Sequence, residues 1–205
     1  MKVILLNGSP RGEKCTYTAL KIIEEELVNE GIEVKIFSVG NKPVIGCTGC
    51  GACGGLGKCV HDDLVNVVSE ELETADGFIV GSPVHYASAS GAVTSFLDRL
   101  FYCTDKKYLR MMFGASIVSC RRGGASAAFD QLNKYFTISE MPIVSSTYWN
   151  QIHGNTPEEA LQDLEGVCTM KTLARNMAYL IKCKEAAKHI PMPEAVKKER
   201  TNFIR

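Results

Sequence analysis

The chain has 205 residues with 23 basic and 23 acidic side chains, so its formal net charge is zero. That balance offers no basic excess to nucleic acid, and no apolar run approaches the roughly 18 residues needed to cross a membrane. A hydrophobic content of 45% and a charged content of 22% suit one soluble globular domain with a full core.

Residues 3–6 (Val-Ile-Leu-Leu) form a continuous apolar run, the mark of a strand buried on both faces. A strand starting there leaves no room for a signal peptide, so a cytoplasmic protein is expected. A helix over about 16–30 follows, with Leu20, Ile23 and Leu27 on one face and Gly31 as its stop. Val34, Ile36 and Val39 mark a second strand. After a cysteine-rich stretch, Asp62 or Asp63 opens a helix that turns Leu64, Val67, Val68 and Leu72 inward. Residues 77–81 form a third strand, and the next helix carries Val93, Phe96, Leu97 and Leu100. A fourth strand is expected at 115–120, a helix at about 125–136 and a fifth strand at 142–145. One long helix should begin near Pro157 and carry Leu173, Met177, Leu180 and Ile181, with Pro191 and Pro193 ending helical structure.

Five buried strands alternating with helices define an α/β three-layer sandwich around a five-stranded parallel sheet. Right-handed crossovers give the order 2-1-3-4-5, with ligands beyond the carboxyl ends of the strands near the switch between strands 1 and 3. The organisation is one domain over 1–190, interrupted by an insertion at 40–61 that lacks structure of its own, and a polar tail over 191–205. Unstructured insertions of this length tend to be functional.

That insertion holds Cys47, Cys50, Cys53 and Cys59 in the spacing C-x2-C-x2-C-x5-C, and glycine fills five of the nine intervening positions. Four thiols converge there on a small volume, around which a glycine-rich backbone folds easily. In a reducing compartment such clustering favours metal or redox chemistry over a disulfide scaffold. A structural zinc site generally separates two close pairs by a longer segment, so a polynuclear cluster, zinc and free thiols or a disulfide all stay open. The other five cysteines of the nine are scattered, and most of them read as packing residues. His61, beside the last loop cysteine, is a metal-tuning or a capping residue.

Three further loops meet at one sheet edge if this topology holds. Residues 7–16 (Asn-Gly-Ser-Pro-Arg-Gly-Glu-Lys-Cys-Thr) run from a strand into a helix, where hydroxyls, amides and the helix dipole suit a phosphate, with Arg11 adding charge. It is neither a P-loop nor a G-x-G-x-x-G fingerprint. The second loop, 81–90, offers Pro83, Val84, His85 and Tyr86 to a flat ring and a hydroxyl-rich helix start. In the third, Ser119, Arg121, Arg122, Gly123 and Gly124 combine positive charge with close backbone approach. Each loop alone also fits a plain turn; their coincidence carries the reading. Residues 148–154 group the single tryptophan with His153, as a cover for the site, a subunit contact or packing.

Across nearly its whole length the chain resembles the flavodoxin-like NAD(P)H-dependent FMN reductases, and within them the iron–sulfur flavoproteins. The resemblance rests on Gly8-Ser9-Pro10-Arg11, the four loop cysteines followed by Asp62-Asp63, Ser82-Pro83-Val84-His85-Tyr86, and Phe96-Leu97-Asp98-Arg99. It implies that Ser9, Arg11 and Thr16 hold the FMN phosphate, with Cys15 standing where the family usually has asparagine. Pro83, Val84, His85 and Tyr86 would line the isoalloxazine, His85 replacing a usual aromatic, and the 119–124 loop would meet the pyrimidine end. Cys47, Cys50, Cys53 and Cys59 would ligate a [4Fe–4S] cluster. The activity implied is passage of reducing equivalents from NAD(P)H through FMN to a small acceptor such as a quinone, a nitro or azo compound, or free flavin. An electron carrier working with ferredoxin-type partners is the alternative, and a zinc-stabilised binding module a third. A homodimer or homotetramer is implied as well.

Overall fold

The computed structural model describes residues 1–197, 199, 201 and 203. The elements are β1 (Lys2–Asn7), α1 (Cys15–Asn29), β2 (Glu33–Ser38), α2 (Cys53–Leu56), α3 (Leu64–Leu72), β3 (Gly77–His85) and β4 (Ser88–Ala89). Then come α4 (Gly91–Cys103), α5 (Lys106–Leu109), β5 (Phe113–Cys120), α6 (Ala125–Ile138), β6 (Gln151–His153), α7 (Pro157–Gln162) and α8 (Leu164–Ala186). The sheet runs β2-β1-β3-β5-β6 with every neighbour parallel, which is the expected 2-1-3-4-5 winding, and the short β4 folds back antiparallel on β3.

Alternation along the strands builds two cores. Ile4, Leu6, Phe78, Val80 and Val118 pack with Val65, Val68, Phe96, Leu100, Leu132 and Phe136 from α3, α4 and α6. Val3, Leu5, Ile79 and Ile117 point the other way, onto Leu20 and Ile23 of α1 and Leu173 and Met177 of α8. Both faces are therefore covered, as an all-parallel sheet requires. Among the described residues no buried side-chain nitrogen or oxygen lacks a hydrogen-bond partner.

Several expectations need correction. The fifth strand does not form over 142–145: only Ile143 bridges Gly114 there, and regular pairing with β5 waits until Gln151–His153. The chain detours outward between them, held by the Ser146 hydroxyl donating to Asn150 Oδ1 at 2.6 Å and by Asn150 Nδ2 donating to the Ser116 carbonyl at 3.0 Å. The final helix is two helices, because Asp163 leaves helical geometry (φ −75°, ψ 82°) to accept from the amides of Gly166 and His153. The insertion is not structureless, since Cys53–Leu56 makes a helical turn stopped by left-handed Gly57. Val67 is 46% exposed, and α3 turns Val65 inward with Val68 and Leu72. The 191–205 tail carries neither helix nor strand in its described part; Lys198, Arg200, Asn202, Ile204 and Arg205 lie outside the described residues.

Close packing of α6 on β5 depends on Gly114, where an added Cβ would sit 2.7 Å from Cδ1 of fully buried Phe136. Gly114→Ala should destabilise the fold by about 1–3 kcal/mol, read as a lower denaturant midpoint at unchanged slope.

Candidate functional site

The turn after β1 is built by Asn7, whose fully buried side chain accepts from the Ser9 amide at 3.1 Å and donates to the Gly12 carbonyl at 3.2 Å and to Ser38 Oγ at 3.2 Å. This curls 8–14 over the start of α1. No side chain caps that helix, and no acid stands in its first turn. Its first amides and the positive end of its dipole are left for an outside anion. A second network joins this turn to the other loops. The Gly8 amide donates to the Gly81 carbonyl at 2.7 Å, Ser90 Oγ donates to the Gly8 carbonyl at 2.8 Å, and the Ser90 amide donates to Ser82 Oγ at 2.9 Å. Thr16 and Ser119, both buried, share a hydroxyl hydrogen bond of 2.7 Å.

These links enclose a cleft of about 160 Å³ beyond the carboxyl ends of β1, β3 and β5. It is lined by Ser9, Arg11, Cys15, Thr16, Pro83, Val84, His85, Ser119 and Arg121, and also by Lys14, Cys120, Gly154 and Asn155. Arg11, Lys14 and Arg121 contribute three cations and no carboxylate joins them, on a chain of zero net charge. Such a wall suits a phosphate at the α1 end, with Pro83 and Val84 as an apolar side.

Tyr86, Gly123 and Gly124 are not among the lining residues. Tyr86 and Ala87 are the central pair of the β3–β4 turn, both left-handed (φ 51° and 58°), and Tyr86 is fully exposed at its tip. Gly124 (φ +91°) lies under that turn, where a Cβ would come 2.6 Å from Ala87 Cα. The covering segment read from the sequence reaches the cleft at its last residue, Gly154, while Asn155 beyond it escaped because the edge strand was placed too early. His153 points elsewhere, with Nδ1 3.3 Å from Asp163 Oδ2, and the half-exposed Tyr148 and Trp149 rings meet at a tilt of 57° with centroids 4.9 Å apart. Burial pushes the Cys15 and Cys120 thiols up, so both stay protonated near neutral pH.

A second site lies at the far end of α4. Cys47, Cys50, Cys53 and Cys59 all line one pocket, closed by Thr48, Val60, His61, Arg99, Tyr102 and a fifth thiol, Cys103. Left-handed Gly49 and Gly51 (φ 68° and 71°) turn the backbone on either side of Cys50. Among the described residues no three Cys, His, Asp or Glu side chains converge closely enough for a single metal ion. The loop is pinned from beneath. Asn66 accepts from the Cys59 amide at 2.9 Å and donates to the Cys59 and His61 carbonyls at 3.0 and 3.1 Å. Arg99, only 2% exposed, grips Asp63 with both terminal nitrogens (2.7 and 2.8 Å) and donates from Nε to Cys59 Sγ at 3.3 Å.

Asp63 also caps α3 through the Val65 amide at 3.1 Å. Partial burial opposes its ionisation, but the hydrogen bonds from Arg99 outweigh that and hold its carboxyl below the usual range. A depressed native pKa stabilises the fold above the unfolded carboxylate's pKa of about 3.9, and the contribution disappears as pH falls through the lower native value. Asp63→Asn should therefore cost about 1–2 kcal/mol at neutral pH, an estimate discounted for a carboxylate still partly in water. The gap to the unsubstituted protein should close in urea unfolding measured progressively below about pH 4.

A doubly wound parallel sheet with an anion cradle at its switch point defines a flavodoxin-like α/β protein. The chain belongs to the NADPH-dependent FMN reductase family, whose model matches residues 1–156, and it is an oxidoreductase of that kind. It is similar to an iron–sulfur flavoprotein of Methanocaldococcus jannaschii, 30% identical over 189 residues that cover 89% of this chain and 98% of the relative. A second iron–sulfur flavoprotein of that organism is 32% identical, covering 85% and 94%. Among solved structures, a flavoenzyme NAD(P)H:acceptor oxidoreductase from Paracoccus denitrificans superposes with a TM-score of 0.67 at 15% identity, covering 89% of this chain and 97% of the other. An archaeal flavodoxin gives 0.59 at 18% identity, covering 89% and 99%. These two share the fold.

Proposed function

We propose that the protein passes reducing equivalents from NAD(P)H, through FMN in the cleft, to a small acceptor such as a quinone, a nitro or azo compound, or free flavin. The observation that carries this reading is the cleft itself: three cations, buried hydroxyls and an uncapped helix start, at the point where the sheet reverses its winding. The donor set fits a phosphate monoester. Ser9 and Thr16, with the first amides of α1, would hold it, and Arg11 and Lys14 would balance its charge. Pro83 and Val84 would keep water from one side of a flat ring, with His85 and Arg121 at its polar edges. When bound, FMN supplies both hydride and single-electron chemistry, and the protein's part is orientation and electrostatics.

If Arg11 recognises the phosphate, Arg11→Met should weaken FMN about tenfold and leave riboflavin affinity unchanged, both followed by flavin fluorescence. That magnitude corresponds to one partly exposed charge-assisted hydrogen bond. Equal losses for the two ligands would argue against the phosphate assignment.

The cysteine pocket favours a specific addition to this reading. Four thiols line one pocket in the spacing C-x2-C-x2-C-x5-C, and a cubane whose irons each take one thiolate would suit them better than zinc, whose structural sites generally separate two close pairs by a longer segment. The names of the curated relatives point the same way. Cys47, Cys50, Cys53 and Cys59 would be the ligands, and a bound [4Fe–4S] cluster supplies single-electron transfer. Anaerobically purified protein should show flavin absorption with about four iron and four sulfide per chain and no stoichiometric zinc. Flavin without iron would leave a plain FMN reductase. Steady NAD(P)H oxidation with a quinone would separate the reductase from the alternative, an electron carrier serving ferredoxin-type partners.

A further inference from the structure

We propose that Arg99 is a positioning residue for Cys59 and sets the reduction potential of the cluster that this cysteine would ligate. The inference rests on the iron–sulfur reading above. An ordinary ion pair between α3 and α4 would need only the two terminal nitrogens of Arg99, which Asp63 already occupies at 2.7 and 2.8 Å. The remaining nitrogen, Nε, donates to Cys59 Sγ at 3.3 Å, and further contacts reach the carbonyls of His61 and Ile45 at 3.3 and 3.4 Å.

Cys59 is thereby fixed twice, by Asn66 at its peptide and by Arg99 at its sulfur. The other three differ. Cys47 and Cys50 are exposed, and Cys53 makes only a 3.8 Å contact with the Tyr102 carbonyl. Among the described residues, Cys59 alone of the four receives an N–H from a charged group. A cationic donor on a ligand sulfur favours the more negative, reduced state of a cluster, and outer partners of this kind also orient the ligand. At 2% exposure the guanidinium is poorly screened by water, and because the Asp63 carboxylate offsets part of its charge, the directed Nε–H is what the sulfur chiefly receives.

The test compares the unsubstituted protein with Arg99→Lys and Asp63→Asn after anaerobic reconstitution with iron and sulfide. Iron, sulfide and FMN content are measured first, then the midpoint potential by dithionite titration followed by electron paramagnetic resonance. Arg99→Lys keeps the charge and loses the Nε donor. The expected result is a retained cluster whose reduced-to-oxidised ratio at fixed potential falls about tenfold, equivalent to about 59 mV for one electron. A retained cluster with an unchanged potential overturns the proposal. If Arg99→Lys loses the cluster while keeping FMN, Asp63→Asn decides, because it leaves the guanidinium beside Cys59. A cluster kept there at the original potential or a higher one supports the proposal, because the guanidinium stays and loses its counter-charge, and one kept at a lower potential overturns it. Loss in both variants overturns it, reducing Arg99 to a strut between helices. Absence of iron from the unsubstituted protein would instead sink the iron–sulfur reading, and this proposal with it.

Discussion

The constraint on which the rest depends is the reversal of winding at β1. From that strand the sheet grows one way to β2 and the other way through β3 to β5, so the connections leave in opposite directions. No helix can cover the mouth between β1 and β3, and a crevice must open there. The backbone is held at its closest approach in that crevice. The Gly8 amide bonds the Gly81 carbonyl, and a Cβ on Gly8 would come 2.5 Å from Val93 Cγ2. The loops therefore do not float over the sheet edge. Hydroxyls of Ser90, Thr16 and Ser119 lock them to one another, which gives a preorganised cavity instead of three independent turns.

α4 links this cleft to the cysteine pocket. Its N-cap, Ser90, bonds the carbonyl of Gly8 in the cradle, while Arg99, Tyr102 and Cys103 near its other end line the pocket. Thirteen residues make a rod of about 20 Å. Val93, Phe96, Leu97 and Leu100 seat that rod in the core, so the two sites keep a fixed spacing unless the fold itself yields. A loop insertion that looks peripheral in the sequence is thus mechanically part of the sheet's own scaffold.

Local chemistry was legible in the sequence and long-range pairing was not. The cradle could be read because strand, turn and helix start are contiguous from Val3 to Thr16, and the cysteine spacing was visible for the same reason. The edge strand was misread because its pairing is split, with Ile143 and Gln151–His153 meeting β5 on either side of a detour. Strand propensity cannot report where a chain leaves a sheet and returns, and with that error went the Asn155 wall of the cleft. Asp63 and Arg99 were both seen as motif residues, yet their union spans 36 positions. An arginine on an amphipathic helix ordinarily faces water. The visible signal was its place three residues after Phe96 and four before Cys103, on the edge of the apolar stripe that α4 buries.

The charge inventory of the cysteine pocket bears on what the loop is for. Gathering four thiols in a small pocket adds little to packing, since Cys47 and Cys50 remain exposed and only Cys53 and Cys59 touch the core. Ionised together they would repel strongly, and Arg99 is the single cationic side chain among the lining residues. Under the iron–sulfur reading, a multiply charged inorganic centre would relieve that repulsion, because it would hold the thiolates and leave a modest negative charge for Arg99 to meet. The scattered thiols give the contrast. Burial pushes Cys15, Cys103 and Cys120 up, and among the described residues nothing cationic donates to their sulfurs, so they remain neutral.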